Sequence, residues 1–287
     1  MAAIIKKEMR TYFTSVTGYG FLAVLLIVMG FYFGINNLDT KRTLFGVTLS
    51  SCTMLFMLLI PVLTMRLFSE EARQRTDQLL FTSPLKISYI VIGKFLSAFF
   101  LFLIGMGITL LFPLILTFYG KISLSETAAA YIGYILLGAC LIAVGVFISS
   151  LTESQMTAAV VSMAVLYAFF LLQNIITTLP ATRQSSMVFL AAIAAALTFV
   201  VYDSTKKKLV AIVFAAACVL AGIIVFIANP ALYDDVIRRT LGWFSLLARL
   251  SNFFNSVLSL ADIVYYVSFA AAFIYLTING LEKKRWK

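Results

Sequence analysis

The sequence predicts an all-α, polytopic membrane protein with eight transmembrane helices. Three observations lead there. Hydrophobic residues make up 62 % of the 287 positions, and the mean hydropathy is +1.02, which leaves no room for a soluble reading. Charged residues are 12 % of the chain, and they cluster at the edges of eight long runs that contain none. Each run approaches or exceeds the roughly 20 helical residues that cross a hydrocarbon core.

The runs are Thr11–Leu38, Thr43–Met65, Phe95–Gly120, Thr127–Thr152, Ser154–Thr182, Gln184–Tyr202, Leu209–Ala228 and Ile263–Leu281. The first is too long for a signal peptide, and Gly30-Phe31-Tyr32-Phe33 is a poor cleavage site, so it reads as a retained span. Ahead of it, residues 2–13 alternate apolar Ile4, Ile5, Met9, Tyr12 and Phe13 with Lys6, Lys7, Glu8 and Arg10. That pattern suits a helix in the membrane interface, or a charged flank that anchors the span. No segment is long and polar enough for a separate soluble domain, so residues 1–287 form one transmembrane domain.

Between the second and third runs, residues 66–84 hold six charges: Arg66, Glu70, Glu71, Arg73, Arg75 and Asp77. Glu70–Phe81 as a helix would be about 18 Å long. Ser69 is the expected N-cap, Glu70 and Glu71 in the first turn suit the helix dipole, and Ser83-Pro84 closes the element. Leu79, Leu80 and Phe81 form an apolar knob beside a charged rim, which fits docking into a partner's cleft. A solvated loop helix resting on headgroups fits the same residues.

Gln184–Ala228 reads as an accessory hairpin whose two spans are joined by Ser204-Thr205-Lys206-Lys207-Lys208. Residues 229–261 read as an extracytoplasmic amphipathic segment. In it Ile237, Leu241, Phe244 and Ala248 recur at helical spacing opposite Asp235, Arg238, Gly242, Ser245 and Arg249. It caps the bundle or shapes an exit path. Eight crossings put both termini on one side. With the amino terminus inside, 15 of the 22 Lys and Arg residues are cytoplasmic; the seven outside are Lys41, Arg42, Lys121, Arg183, Arg238, Arg239 and Arg249. Both termini are therefore expected in the cytoplasm, with the chain in the plasma membrane.

Several chemistries are excluded or disfavoured. The chain has no histidine, so the usual zinc ligand, proton shuttle and triad base are missing. Cys52, Cys140 and Cys218 lie in apolar runs without CxxC spacing and read as buried small residues. Lys94 lies near a span end and is expected to snorkel. No carboxylate lies at mid-membrane, where coupled carriers usually place them. The deepest polar residues, Ser50, Ser51, Thr53, Gln173 and Asn174, suit hydrogen bonds between helices. Because no Walker A pattern is present, ATP and Mg are expected on a separate subunit and no cofactor on this chain. No basic face with interleaved aromatics suggests nucleic acid.

The segment from residue 66 resembles the cytoplasmic coupling helix of type-2 ABC transporter permeases, in particular the gliding-motility (GldF-like) permeases. Their pattern F-x-x-E-x-x-x-x-T-x-x-L-L-x-x-x-P is matched by Phe68, Glu71, Thr76, Leu79, Leu80 and Pro84. Where many members have Gly before the Thr, this chain has Arg75. K-K-E-M-R-T-Y-F-T-S-V-T-G-Y at 6–19, S-S-L-T-E-S-Q at 149–155, and N-F-F-N-S-V-L-S-L-A-D-I-V-Y-Y at 252–266 with L-E-K-K-R-W at 281–286 resemble further family segments in the family's order. The resemblance implies a six-span exporter core to which 184–228 is extra. It also implies that Glu70, Glu71, Arg73, Arg75, Thr76, Asp77, Leu79, Leu80, Phe81 and Pro84 couple to an ABC ATP-binding subunit, present in two copies. A second permease chain, identical or homologous, and an auxiliary GldG-like membrane protein complete the implied assembly in the lipid bilayer. No catalytic residue is expected here. The competing reading is a non-transporting scaffold regulated by an ABC-type ATPase.

Overall fold

The computed structural model describes residues 1–40, 44–76, 85–120, 122–178, 198, 236–255 and 258–285. Among them there is no strand, and six helices are long and apolar enough to cross a membrane. A helix satisfies its own backbone inside lipid, which is why uncharged sequence of this length takes that form. The two further spans expected within Gln184–Ala228 fall outside the described residues. The chain divides into two compact units, Met1–Phe170 with Leu246–Lys287, and Leu171–Ser245.

In the first unit, helix α1 (Ala2–Thr14) is separated from α2 (Val16–Phe33) by Ser15 in an extended conformation. The entry segment is therefore a discrete helix. A six-residue π-helical stretch, Gly34–Asp39, prolongs α2. It is fixed from outside its own ladder: Thr48 donates to Asn37 Oδ1, and Asn37 Nδ2 donates to the Leu44 carbonyl at 3.3 Å. Helix α3 (Phe45–Thr64) follows and runs on through Met65 into α4 (Arg66–Arg73), making one element of Phe45–Arg73. The second span thus extends eight residues beyond the uncharged run that was expected to bound it.

Helices α5 (Ile87–Thr109) and α6 (Leu111–Leu116) form the third span. It begins eight residues before the expected Phe95, so Lys94 lies inside it. Helix α7 (Leu124–Leu151) is capped by Ser123, whose hydroxyl accepts from the Glu126 amide at 3.4 Å. Helix α7 is also the centre of the unit. A Cβ on Gly138 would lie 2.4 Å from the Phe102 ring of α5, and one on Gly145 would lie 2.2 Å from Thr64 Oγ1 of α3. Only glycine lets these neighbours approach so closely, as is usual where helices pack without a hydrophobic drive between them. Tyr134 of α7 donates to the Leu49 carbonyl, and its hydroxyl lies 2.5 Å from Thr53 Oγ1. Thr53 therefore serves helix packing, as expected of polar residues in spans. Ser51, accepting from Asn36 Nδ2 at 3.1 Å, does the same.

Helix α8 (Gln155–Thr178) supplies the fifth span, and α11 (Leu260–Arg285) the last. Phe147 of α7 packs edge-on against Phe273 of α11 at 5.7 Å. The thiol of Cys140, buried as expected, donates to the Tyr266 carbonyl at 3.0 Å. The amphipathic segment differs from expectation. It is not one helix through residues 237–249 but two, α9 (Val236–Phe244) and α10 (Leu246–Phe254), interrupted at Ser245. The reason lies in a second apolar stripe: Leu246, Leu250 and Phe253 are buried, with Phe253 against Gly133 of α7. Ala248, counted in the first stripe, is half-buried. In the second unit, Ser245 donates to Gln173 Oε1 at 2.5 Å.

Candidate functional site

One end of the first unit gathers α1, α4, the first turns of α5, the last turn of α7 and the tail of α11. Lys284 Nζ caps the α7 carboxyl end through the Ser150 carbonyl at 2.7 Å.

The joint between α3 and α4 is built by a side chain from another helix. In an unbroken helix the Thr64 carbonyl would accept from the Phe68 amide. Here Ser149 Oγ donates to Met65 O at 3.0 Å and accepts from the amides of Phe68 and Ser69 at 3.1 and 3.3 Å. A hydroxyl inserted into the ladder is a known cause of helix bending. Four residues earlier, Pro61 has no amide to give. Ser69 itself lies within α4 and donates to the Met65 carbonyl, so it is not the N-cap expected of it.

The charged helix expected over Glu70–Phe81 is accordingly displaced. Its first residues are the last turn of α4. The chain then turns at Gln74 and Arg75 in a full Schellman arrangement: the Arg75 amide donates to Ala72 O at 3.2 Å and the Thr76 amide to Glu71 O at 3.0 Å. Arg75 has φ +56°, the left-handed conformation that glycine adopts without steric cost. This is the position at which many of the resembling permeases have Gly. Asp77, Leu79, Leu80, Phe81 and Pro84 lie outside the described residues.

Glu70 and Glu71 therefore sit at the negative end of a helix dipole rather than the positive one, a placement that costs each about 0.3–1 kcal/mol. Cations offset it. Arg66 Nε bonds Glu70 Oε2 at 3.0 Å, and its Nη1 donates to Ser15 Oγ at 3.0 Å and Thr17 Oγ1 at 2.6 Å. Glu71 Oε1 lies 2.9 Å from Lys94 Nζ and 3.6 Å from Lys7 Nζ.

Lys94 is the centre of the site. Its side chain is 2 % exposed and does not snorkel. It bonds Glu8 Oε1 of α1 at 3.0 Å as well as Glu71, donates to the Leu67 carbonyl, and lies 5.1 Å from the centre of the Phe68 ring. The ammonium turns inward because two carboxylates and a carbonyl there satisfy its three donors. Beside it Tyr12 donates to the Leu63 carbonyl at 3.0 Å. Burial, assisted by Glu8, pushes the Tyr12 phenol well above its ordinary range, so it remains a donor. A cleft of about 270 Å³ opens between α1 and α4.

The expected site residues Glu70, Glu71 and Thr76 are thus brought together with Glu8, Arg66 and Lys94 around one cleft, while Arg73 and Arg75 are exposed. Among the described residues the arrangement pairs no nucleophile with a base. Chemically it can hold helices in register and transmit a displacement between them.

Residues 34–188 match the family described as ABC-2 family transporter protein, and no curated protein matches the chain. The match spans more than half of the sequence and contains the π-helical stretch, the α3–α4 joint, Lys94 and Ser149. The chain therefore belongs to the ABC-2 transporter family, as a multi-pass membrane permease of an ABC transporter.

Proposed function

We propose that this permease is an exporter subunit driven by a separate ABC ATP-binding subunit, with residues 70–81 as the segment that the ATPase grips. Two ATPase copies bind ATP and Mg, and two permease chains, identical or homologous, form the translocation unit in a bacterial plasma membrane with both termini cytoplasmic. The GldF-like motifs and the 15-to-7 split of basic residues support this reading. They also leave room for a GldG-like auxiliary protein.

The observation that carries the proposal is the continuity of the second span with α4. A force applied after Thr76 enters α4 directly, and α4 is bonded to α1 and α2 through Arg66, to α5 through Lys94 and to α7 through Ser149. Among the described residues α4 follows the second span with no linker between them, so closure of the ATPase pair pushes on α4 and, through its ion pair with Lys94, on the third span.

Co-purification in detergent followed by ATPase assays in liposomes tests it. Apolar anchors at docking surfaces carry about 2 kcal/mol or more each, and exposed charges about 1 or less. Leu80→Asp or Phe81→Asp is expected to detach the ATPase, and Arg73→Ala to weaken docking modestly. Asp variants that still copurify and stimulate hydrolysis normally refute the assignment.

A further inference from the structure

Helix α1 is divided into three faces. Ile4, Glu8 and Tyr12 face the protein: Ile4 lies against Gly93, Glu8 against Lys94, and Tyr12 is buried. Ile5, Met9 and Phe13, at i, i+4 and i+8, are half-buried and form an apolar flank. Lys6, Lys7 and Arg10 are exposed on the remaining arc.

The single carboxylate of α1 is Glu8, and it is turned inward and neutralised by Lys94. The outward charge of the helix is therefore purely cationic, carried by Lys6 and Arg10, while Lys7 also reaches Glu71 at 3.6 Å. The depth of α1 is also fixed. Ser15 alone separates it from the first spanning helix. Tyr19, one turn into that helix, is 58 % exposed and packs edge-on against Phe13 with ring centres 5.9 Å apart. An exposed tyrosine at a span end marks the headgroup level.

We infer that α1 is an acidic-phospholipid contact: Lys6 and Arg10 engage anionic headgroups while Ile5, Met9 and Phe13 rest on the acyl boundary. Glu8 and Lys94 pass that engagement on to Glu71 of α4. The occupant is lipid because the cationic arc adjoins an apolar flank, a pairing that a soluble anion does not need. The relay to α4 rests on the coupling role proposed above, whereas the lipid contact needs only α1 to face an anionic leaflet.

The test uses the full chain alone, without an ATPase, in nanodiscs of phosphatidylcholine or of phosphatidylcholine with phosphatidylglycerol. Hydrogen exchange is read at the amides of α1 and α4. Each basic residue near an anionic surface contributes about five-fold in association, so phosphatidylglycerol should slow exchange in α1 several-fold, and α4 should follow. Lys6→Gln with Arg10→Gln should abolish both responses, and high salt should reduce them. Glu8→Gln, which leaves the Lys94–Glu71 pair intact, should keep the α1 response and lose that of α4.

Equal exchange in the two lipid compositions, or a response that survives the double substitution, overturns the lipid contact. A response reproduced by inorganic phosphate in phosphatidylcholine discs also overturns it in favour of a soluble anion. An α4 response that persists in Glu8→Gln overturns the relay alone. Because no ATPase is present, failure of the docking assignment at 70–81 leaves these outcomes readable.

Discussion

Lys94 allows a prediction whose size follows from geometry. Its ammonium is 2 % exposed and lies 3.0 Å from Glu8 and 2.9 Å from Glu71. At an effective dielectric near 20, each such pair is worth about 5 kcal/mol of gross Coulomb energy. The cost of desolvating the ammonium, several kcal/mol, offsets much of that. Removing the cation reverses the balance, because Glu8 and Glu71 stay in place and face each other with one exposed lysine, Lys7, nearby at 3.6 Å. Lys94→Met should therefore lose about 3–5 kcal/mol, the range for breaking a buried pair by deleting one partner. Glu8→Gln or Glu71→Gln alone should lose about 1–3 kcal/mol, since Lys94 retains its other carboxylate. The triple variant carrying all three changes should recover most of the Lys94→Met loss, because no unpaired charge remains. Equilibrium unfolding in mixed micelles measures each value. A Lys94→Met protein within about 1 kcal/mol of the parent, or a triple variant no more stable than Lys94→Met, would refute the paired-charge account.

Arg75→Gly should stabilise the chain by about 1 kcal/mol, since it relieves a left-handed residue while keeping the Schellman bonds; the same unfolding assay detects it, and a loss of stability would mean the Arg75 side chain makes a compensating contact. Ser149→Ala removes the hydroxyl that serves the Met65 carbonyl and two amides, so about 1–3 kcal/mol should be lost. Exchange at Phe68 and Ser69 should quicken in that variant, and unchanged exchange there would count against the inserted hydroxyl. For topology, impermeant thiol labelling of intact cells should reach a cysteine placed at 184 and miss one at 207, and the opposite pattern would overturn the cytoplasmic assignment of Lys206–Lys208.

Much of the fold could be read from charge spacing, because a lipid-crossing helix excludes ionised side chains along its length. That rule locates spans well and their ends poorly. It stopped the second span at Met65 and started the third at Phe95, since Arg66 and Lys94 are the first charges met. Both helices in fact run on, to Arg73 and from Ile87. Tertiary partners make these charges tolerable, and no single-helix pattern contains them: Arg66 is held by Ser15, Thr17 and Glu70, and Lys94 by Glu8 and Glu71. A signal for Lys94 was nevertheless present. Glu8, Glu70 and Glu71 are three of the 12 acidic residues in the chain, all assigned to the side on which Lys94 begins its span, and carboxylates at a membrane face seek a cation. The π-helical stretch at Gly34–Asp39 had no such signal, because it depends on Thr48 and Leu44 meeting Asn37.

The family resemblance held information that pattern reading alone did not extract. A glycine expected before Thr76 means that the backbone there requires positive φ, and Arg75 adopts that conformation despite its side chain. The same logic applies to S-S-L-T-E-S-Q. Its first serine is Ser149, and the reason for a hydroxyl at that position lies in α3 and α4, 84 residues earlier in sequence at Met65. Taken together, the two positions define a single mechanical part: a helix end shaped by Arg75, and a joint loosened by Ser149 about two and a half turns before it. Between them α4 carries the carboxylates that bind α1 and α5. A displacement entering at Thr76 then has two outlets of different stiffness. Along the second span it meets the Ser149 joint, where a borrowed hydroxyl takes the Phe68 amide in place of the Thr64 carbonyl. Sideways it meets ion pairs of about 3 Å with Lys94, which is buried and difficult to unpair. The stiffer route leads to α5 and α1, so the third span and the amino-terminal helix should respond to the push before the second span does.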